Sequence, residues 1–237
     1  RQAAPNKGME RGKMKRRIIF LAVFLWLSTA AGAWASVAYT TLTLPALHVD
    51  ISTWTDGGVY DSVFPGDHTW NGVPFSLAVD ASDNNAFMGT LEIPVDVYGV
   101  ATAYTLINTA FGSYGSVVGT VEFFGSDGAY YSVDLTEGIN VRDHYYGSFN
   151  NVIDGVNALL AYGASSSGAH LDMQVYNLPS DFADETLVKI VFTGYSSGGG
   201  NPFIAGATVA AVPIPGAAWL LGSGLVSLIG SKRKRSS

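Results

Sequence analysis

The chain has 237 residues, of which 48% are apolar and 14% are charged, and it contains 28 glycines and no cysteine. Average globular proteins carry roughly 25% charged residues and about 7% glycine, so this composition excludes a coiled coil and a highly charged disordered chain. The lack of cysteine excludes a disulfide framework, thiolate metal sites and a cysteine nucleophile.

Charge is distributed unevenly along the chain. Residues 1–17 and 232–235 hold 11 of the 13 basic residues, whereas residues 36–212 hold 18 of the 19 acidic ones. Arg142 and Lys189 are the two basic residues of that middle region, which therefore has a formal net charge of −16. Such an acidic body excludes nucleic acid as a partner, because phosphate binding needs a basic face.

Residues 14–35 have the pattern of a secretory signal peptide. They begin with Met-Lys-Arg-Arg, continue with an apolar segment of about ten residues and end in Ala33-Trp-Ala35. This order predicts export through the Sec translocon and cleavage by signal peptidase before Ser36. Residues 1–13 do not fit the pattern, and we interpret them as an upstream extension.

Residues 117–124 and 129–135 predict a β-hairpin. They flank Asp127-Gly128, a dipeptide typical of turns. Apolar and polar residues alternate in both segments, so one face would pack inward and the other would contact solvent. The inward side chains would be those of Val121, Phe123, Tyr131, Val133 and Leu135.

Other segments of the body show the same strand character. Leu171, Met173 and Val175 alternate with Asp172 and Gln174, and Val188, Ile190 and Phe192 alternate with Lys189 and Thr193. Further strands are predicted at 46–51, 73–79, 89–95, 101–107 and 203–210, whereas 157–162 fits a strand or a helical turn. About ten short strands predict an all-β fold, an antiparallel β-sandwich or jelly roll over residues 36–211. A signal helix and a C-terminal hydrophobic helix would flank it.

A series of short motifs follows this strand pattern. The motifs are Asn71-Gly-Val-Pro-Phe75, Leu91-Glu-Ile-Pro-Val95, Ala103-Tyr-Thr-Leu-Ile107, Val118-Gly-Thr-Val-Glu-Phe-Phe124, Gly138-Ile-Asn-Val-Arg-Asp-His144, Leu187-Val-Lys-Ile-Val-Phe-Thr193 and Asn201-Pro-Phe-Ile-Ala-Gly-Ala-Thr208. Their order resembles that of the galactose-binding-like jelly rolls appended to many bacterial glycoside-processing proteins. The resemblance covers residues 70–210 and implies a non-catalytic carbohydrate-binding or structural module, sometimes with bound calcium. His144 stands where that family usually has an aromatic residue.

Aromatic residues provide the candidates for a glycan-binding site. Trp54 and Trp70 lie in a polar, glycine-rich stretch, and Tyr145 follows the Arg-Asp motif. An aromatic ring offers an apolar face to the C–H groups of a sugar, and the Arg142 guanidinium is a strong donor to sugar oxygens. The structural alternatives are rings half-buried at the edge of the core and an ion pair between Arg142 and an acid.

Three carboxylates suggest a metal, and no motif suggests catalysis. Asp56, Asp61 and Asp67 lie close together in sequence, and Ca²⁺ prefers oxygen ligands, although their spacing is not that of an EF-hand. A structural calcium ion is therefore one hypothesis, and no other cofactor is predicted. Nucleophile elbow, P-loop and closely spaced histidine motifs are all missing, so we predict a protein that is not an enzyme. A glutamate pair that hydrolyses glycosides is the alternative.

Residues 212–237 combine three features of a membrane-directed tail. Val212, Pro213, Ile214 and Pro215 precede an apolar run of about 15–18 residues, which is long enough to span a bilayer if helical, and a basic cluster follows. The order resembles the PEP-CTERM sorting tail of Gram-negative bacteria, with isoleucine in place of the glutamate. The resemblance implies recognition by an exosortase, a membrane transpeptidase, and removal of the tail. A permanent tail anchor is the alternative.

These patterns together predict an exported, exosortase-processed protein. It would be anchored transiently in the inner membrane through its C-terminal helix. It would then reach the cell surface or the extracellular matrix of a biofilm-forming Gram-negative bacterium. Its β-sandwich would bind glycan or exopolysaccharide without catalysis. The alternatives are a structural matrix or surface protein without small-ligand specificity, and a glycoside hydrolase.

Overall fold

The fold is all-β within residues 36–54, 57–164, 166–196 and 199–212, the part that the computed structural model of the chain describes. This part contains no α-helix. The strands are β1 (Ala38–Leu42), β2 (Gly66–Trp70), β3 (Val73–Leu77), β4 (Phe87–Met88), β5 (Thr90–Tyr98), β6 (Val100–Ala110), β7 (Val117–Gly125), β8 (Tyr130–Thr136), β9 (Ala158–Ala164), β10 (Ser167–Asn177), β11 (Thr186–Gly194) and β12 (Asn201–Ala211). Short 3₁₀ segments span Ile51–Thr53, Gly57–Ser62 and Ser180–Asp184.

Two antiparallel sheets form a sandwich-like arrangement. The larger sheet has the order β1-β12-β6-β10-β9, with β4 beside β12, and the smaller sheet has the order β5-β11-β7-β8. Strands β2 and β3 form a separate hairpin. The prediction of an all-β antiparallel fold is therefore confirmed. The predicted signal helix and C-terminal helix lie outside the described residues, and within those residues no helix is long and apolar enough to cross a membrane.

The main apolar core lies between the two sheets. Val121, Phe123 and Leu135 from the smaller sheet are buried there with Ile204 and Val209 from the larger one. These burials confirm the inward face of the hairpin predicted from residues 117–124 and 129–135, which forms β7 and β8. Burying side chains of this size contributes about 1.5–3 kcal/mol each, so this interface provides much of the driving force for folding.

A second apolar layer covers the opposite face of the larger sheet. Phe75 from β3 and Tyr60 from the second 3₁₀ segment pack there against Leu171 and Phe203. Because both faces of the larger sheet are covered, β12 is buried along nearly its whole length. This double burial explains why the sequence of β12 is almost continuously apolar rather than alternating.

The strand prediction was wrong for residues 46–51 and incomplete elsewhere. In that segment Val49 makes only an isolated bridge, to Ala86, and the chain then enters a 3₁₀ turn. The Asp50 carboxylate caps this turn by accepting a hydrogen bond from the backbone N–H of Ser52 at 2.9 Å. The ambiguous segment 157–162 belongs to strand β9. Strands β1, β2 and β4 were not predicted.

A β-bulge in β11 alters the expected alternation. The pairing of β11 with both neighbours shifts register between Leu187 and Lys189. A bulge adds one residue to a strand and so moves the following side chains to the other face. Leu187 consequently points into the core, whereas Val188, predicted to share the face of Ile190, is 39% exposed.

Candidate functional site: an aromatic cleft

A cleft of about 730 Å³ opens at one end of the larger sheet. Its floor comes from strand ends: Ala110 closes β6, Asn201 opens β12, and these two residues are antiparallel partners. Met88 of the short strand β4 adds to the floor. The volume lies within the range of roughly 300–1,000 Å³ that is usual for small-molecule sites.

Aromatic side chains form the walls of this cleft. Trp54 stands on one side, edge-on to His144 and to Phe203 with ring centroids 5.1 and 5.4 Å away. Phe111 and Phe149 also line the cleft and meet edge-to-face, with centroids 5.2 Å apart. They are 60% and 45% exposed, although burial would favour both rings. Large apolar side chains clustered on a surface mark interaction sites in soluble proteins.

One buried carboxylate positions two of the aromatic residues. Asp143 is 3% exposed, and its oxygens accept hydrogen bonds from the backbone N–H groups of Phe111 and Tyr145, each at 2.7 Å. Phe111 has a φ of 67°, a left-handed conformation that a bulky residue rarely adopts. The hydrogen bond to Asp143 holds this unusual backbone in place. Burial raises the pKa of the Asp143 carboxyl.

The wall that carries Tyr145 and Phe149 is part of the connection between β8 and β9. Strands β6 and β10 pair as far as Leu106 and Met173, and then they separate. Residues 141–146, here called the inserted segment, lie in the gap. Thr109 of β6 donates its N–H to the Arg142 carbonyl at 2.9 Å and accepts from the His144 N–H at 2.7 Å. His170 of β10 donates its N–H to the His144 carbonyl at 2.8 Å.

Side chains complete the hydrogen bonding where β6 and β10 separate. The Gln174 amide accepts from the Ile107 N–H at 2.8 Å and donates to the Ile107 carbonyl at 2.7 Å. Asn108 accepts from the Asp172 N–H at 2.8 Å and donates to the Asp172 carboxylate at 2.7 Å. These polar groups are fully buried. The alternation in β10 therefore does not separate core from solvent, since both faces of the strand are enclosed.

Arg142 fixes the inserted segment from behind the cleft. Its guanidinium donates two hydrogen bonds of 2.7 Å to the two oxygens of Asp172, and a third at 3.2 Å to the carbonyl of Asn151. Arg142 is 3% exposed and Asp172 is fully buried. This geometry is that of an ion pair with an acid, which was the alternative to a glycan-binding role for Arg142. Arg142 does not line the cleft as a glycan donor would.

A second buried carboxylate supports the same region. Glu137 is fully buried and accepts hydrogen bonds from the Thr109 hydroxyl and from the Asn150 side chain, the latter at 2.7 Å. Burial raises the pKa of its carboxyl. A Cβ atom on Gly112 would overlap this carboxylate, so the chain that follows Phe111 needs glycine at this point.

Two histidines lie beside the inserted segment. Burial, together with the nearby His170, lowers the pKa of His144 to about 4, so this cleft-lining ring is neutral at pH 7. Burial also lowers the pKa of His170. Among the described residues the ring nitrogens of His170 have no hydrogen-bond partner, and its Nε2 lies 3.8 Å from a carboxylate oxygen of Asp172.

The structure brings together only part of the predicted glycan-binding set. Trp54 and Tyr145 both line the cleft. Trp70 does not, because it lies in β2, where its ring stacks on His68 with centroids 4.8 Å apart. Phe111 and Phe149 were not predicted. The signal that could have found them is a large aromatic residue beside glycine or serine, a context that does not favour burial.

Asp61 and Asp67, two of the three proposed calcium ligands, line different cavities. Asp61 lines a cavity of about 350 Å³ with Asp50 and Asp83, whereas Asp67 lines a different one beside His68. Asp56 lies outside the described residues. In the part of the chain that the structure covers, no three histidine, aspartate or glutamate side chains are placed to hold a metal ion.

Most of the predicted processing residues lie beyond the described part of the chain. Ala33, Ala35, Pro213, Ile214 and Pro215 are outside it. Ser36 and Val212 are inside, and both are exposed.

Neither the models of known protein families nor the curated proteins include a match to this chain. The functional interpretation therefore depends on the geometry of the cleft.

Proposed function

We propose that the protein binds a glycan in the aromatic cleft and does not transform it. The observation that carries this proposal is the presence of Trp54, Phe111, Tyr145 and Phe149 around one open cleft. Aromatic faces suit the C–H surface of a sugar. Thr53, Ser148 and Asn201 lie among them and offer hydroxyl and amide groups for sugar hydroxyls.

Binding is favoured over hydrolysis by the carboxylates near the cleft. Most glycosidases place two carboxyl groups about 5–9.5 Å apart on either side of the scissile bond. Asp143 is the one carboxylate among the described residues that line the cleft, and backbone N–H groups occupy both its oxygens. Glu137 is fully buried and does not line the cleft.

The order of strands supports the more specific proposal of a jelly roll. In a jelly roll of eight strands, two Greek keys give one sheet the order first-eighth-third-sixth and the other the order second-seventh-fourth-fifth. Leaving out β9 and the short early strands β2, β3 and β4, the chain has the orders β1-β12-β6-β10 and β5-β11-β7-β8. These are the same two orders. Jelly rolls serve many functions, so this similarity alone does not identify a ligand.

Export and sorting remain proposals that rest on the sequences of the two ends. We propose delivery by the Sec translocon, cleavage by signal peptidase, transient anchoring in the inner membrane and processing by an exosortase. The protein would then act at the cell surface or in an exopolysaccharide matrix. Replacing Pro213 and Pro215 by alanine in the host should abolish release of the tail, which intact-mass measurement of the exported protein would detect.

The binding proposal is tested with the protein purified from cells that export it. On an array of oligosaccharides and host exopolysaccharide, we expect the Trp54→Ala variant to bind about tenfold more weakly or worse, because aromatic residues dominate binding energy at such sites. Trp70→Ala is the matched control, since this tryptophan lies outside the cleft. Thermal unfolding of both variants reports whether either loses its fold. The proposal is wrong if nothing binds above a buffer control, or if only Trp70→Ala reduces binding.

A further inference from the structure

We propose that the aromatic cleft selects uncharged sugars and amino sugars, and that it rejects glycans rich in carboxylate or sulfate groups. This inference rests on the proposed glycan-binding function and specifies its ligand class. It follows from the charges around the cleft rather than from its aromatic walls.

The lining of the cleft provides no positive charge within the described residues. The polar residues that line it are Thr53, Ser148, Asn201, Tyr145, His144 and Asp143, and the carboxylate of Asp143 is buried and accepts hydrogen bonds from backbone N–H groups. Hydroxyl and amide groups satisfy sugar hydroxyls equally well in neutral and acidic glycans. The charge of the Asp143 carboxylate distinguishes the two classes, because it acts through space and repels an anionic ligand group while it attracts an ammonium group.

The basic residues of the body do not offset this carboxylate. Arg142 and Lys189 are the only lysine or arginine residues between positions 36 and 212. Arg142 does not line the cleft, and its guanidinium forms a bidentate pair with Asp172. Lys189 belongs to the smaller sheet and pairs there with Glu92, at 2.6 Å. The charge of each cation is thus matched by a carboxylate in contact with it.

The histidine in the cleft wall does not provide a cation either. Burial holds the pKa of His144 at about 4, so its ring is neutral in near-neutral solution. Its neighbours are the Trp54 and Phe203 rings and the Tyr60 hydroxyl, which lies 3.4 Å from Nδ1. An anionic glycan in the cleft would therefore meet a carboxylate, a neutral imidazole and a body with a net charge of −16.

Repulsion of this kind reduces affinity measurably. An acidic glycan whose carboxylate lies within roughly 10 Å of Asp143 should bind about tenfold more weakly, or worse, than its uncharged counterpart, because the cleft is partly desolvated. Because added salt screens charges separated by about a Debye length, the difference should shrink as ionic strength rises.

Matched oligosaccharides test this selectivity on the exported protein. The probes are hexasaccharides of glucose, mannose and galactose, the corresponding oligomers of their uronic acids, and a chitosan hexamer. Calorimetry at low salt should show about tenfold tighter binding of at least one neutral or amino probe than of any uronate. The preference should weaken in 0.5 M salt.

Substitutions that add charge identify the cause. Ser148 is an exposed residue of the cleft wall, and Ser148→Lys should raise the affinity for uronate oligomers several-fold relative to neutral ones. Ser132→Lys makes the same change on the exposed face of β8 and should leave the ratio unchanged.

The possible failures are distinguishable. Uronate oligomers that bind as well as or better than every neutral and amino probe would overturn the selectivity and leave glycan binding intact. A Ser132→Lys variant that gains uronate affinity equally would assign the effect to net charge and overturn the role of the cleft lining. Lack of binding by all probes, including host exopolysaccharide, would overturn both proposals.

Discussion

Strands β6 and β10 contribute to two regions that are stabilised in different ways. One is the apolar core between the two sheets, and the other is the polar region beneath the cleft, formed around Asn108, Arg142 and Gln174. At one end of β6 and β10, backbone groups pair directly and apolar side chains fill the space between the sheets. At the other end the strands separate, and Gln174, Asn108 and Arg142 bridge the gap with buried hydrogen bonds. The apolar packing between the sheets stabilises the fold. The buried hydrogen bonds hold β6 and β10 apart at the end where the cleft opens.

This difference affects how the two regions tolerate substitution. Truncating an apolar core residue lowers the free energy of unfolding in proportion to the buried surface and volume of the side chain that is removed. In a buried polar network, replacing one partner of a pair lowers the free energy of unfolding more than replacing both partners. The single replacement leaves the other, desolvated group unpaired. The polar region should therefore show strong coupling between its residues, and the apolar core should show nearly additive effects.

The largest expected effect comes from the Arg142–Asp172 pair. Arg142→Met and Asp172→Leu should each lower the free energy of unfolding by about 3–5 kcal/mol, because each leaves an unpaired buried charge. The double variant should recover much of the loss. Chemical denaturation of the four proteins measures the coupling free energy. A double variant as unstable as the sum of the single changes would show that the two side chains act independently.

An intermediate effect is expected from His144 in acid. Its pKa falls from 6.5 in the unfolded chain to about 4 in the folded one, so it contributes stability above pH 6.5 that is lost as the pH falls toward 4. The loss should be on the order of 3 kcal/mol. The His144→Gln variant should not show this loss of stability. Unfolding experiments at pH 7 and pH 4 on both proteins measure the difference.

The contribution of His144 is the difference between the stability that the wild type loses from pH 7 to pH 4 and the stability that the variant loses. His170 acts in the same direction, since its pKa is also lowered. Asp143 and Glu137 act in the opposite direction, because their raised pKa values favour the folded state at lower pH. Wild type and His144→Gln that lose equal stability between pH 7 and pH 4 would contradict a neutral buried ring.

The smallest effects should separate two neighbouring apolar residues of β11. Ile190→Val removes a methylene from the core and should cost about 1 kcal/mol. Val188→Ala should change stability by less than about 0.5 kcal/mol, because the bulge turns this side chain outward. Thermal unfolding distinguishes the two. Equal losses would mean that β11 keeps a regular alternation in solution.

The sequence predicted the apolar core better than the region beneath the cleft. The hairpin of β7 and β8 has regular alternation and a turn dipeptide, both of which are local signals. The outward side chain at Val188 depends on a bulge set by two neighbouring strands, which no local pattern reveals. Strands β1 and β2 are short, and β1 is largely exposed, so neither shows a clear core face.

The candidate site was only half predictable, for a similar reason. Trp54 and Tyr145 stood out by residue type and context. Phe111 lines the cleft because Asp143, 32 positions along the chain, binds its backbone. Arg142 was a candidate donor to a glycan, with an ion pair to an acid as the alternative, and it forms a buried pair with Asp172. Such roles depend on contacts between distant segments, which composition and spacing do not encode.

The pairing of the first and last strands has a practical consequence for attachment. Ala38 of β1 lies opposite Ala211 of β12, so both ends of the body leave from one corner. Strand β12 runs from that corner to Asn201 in the cleft, about 33 Å away at roughly 3.3 Å per residue. Immobilisation or fusion through either end should therefore leave the cleft accessible. A circular permutant that joins residues 37 and 212 and opens between 195 and 200 would instead bring the attachment point beside it.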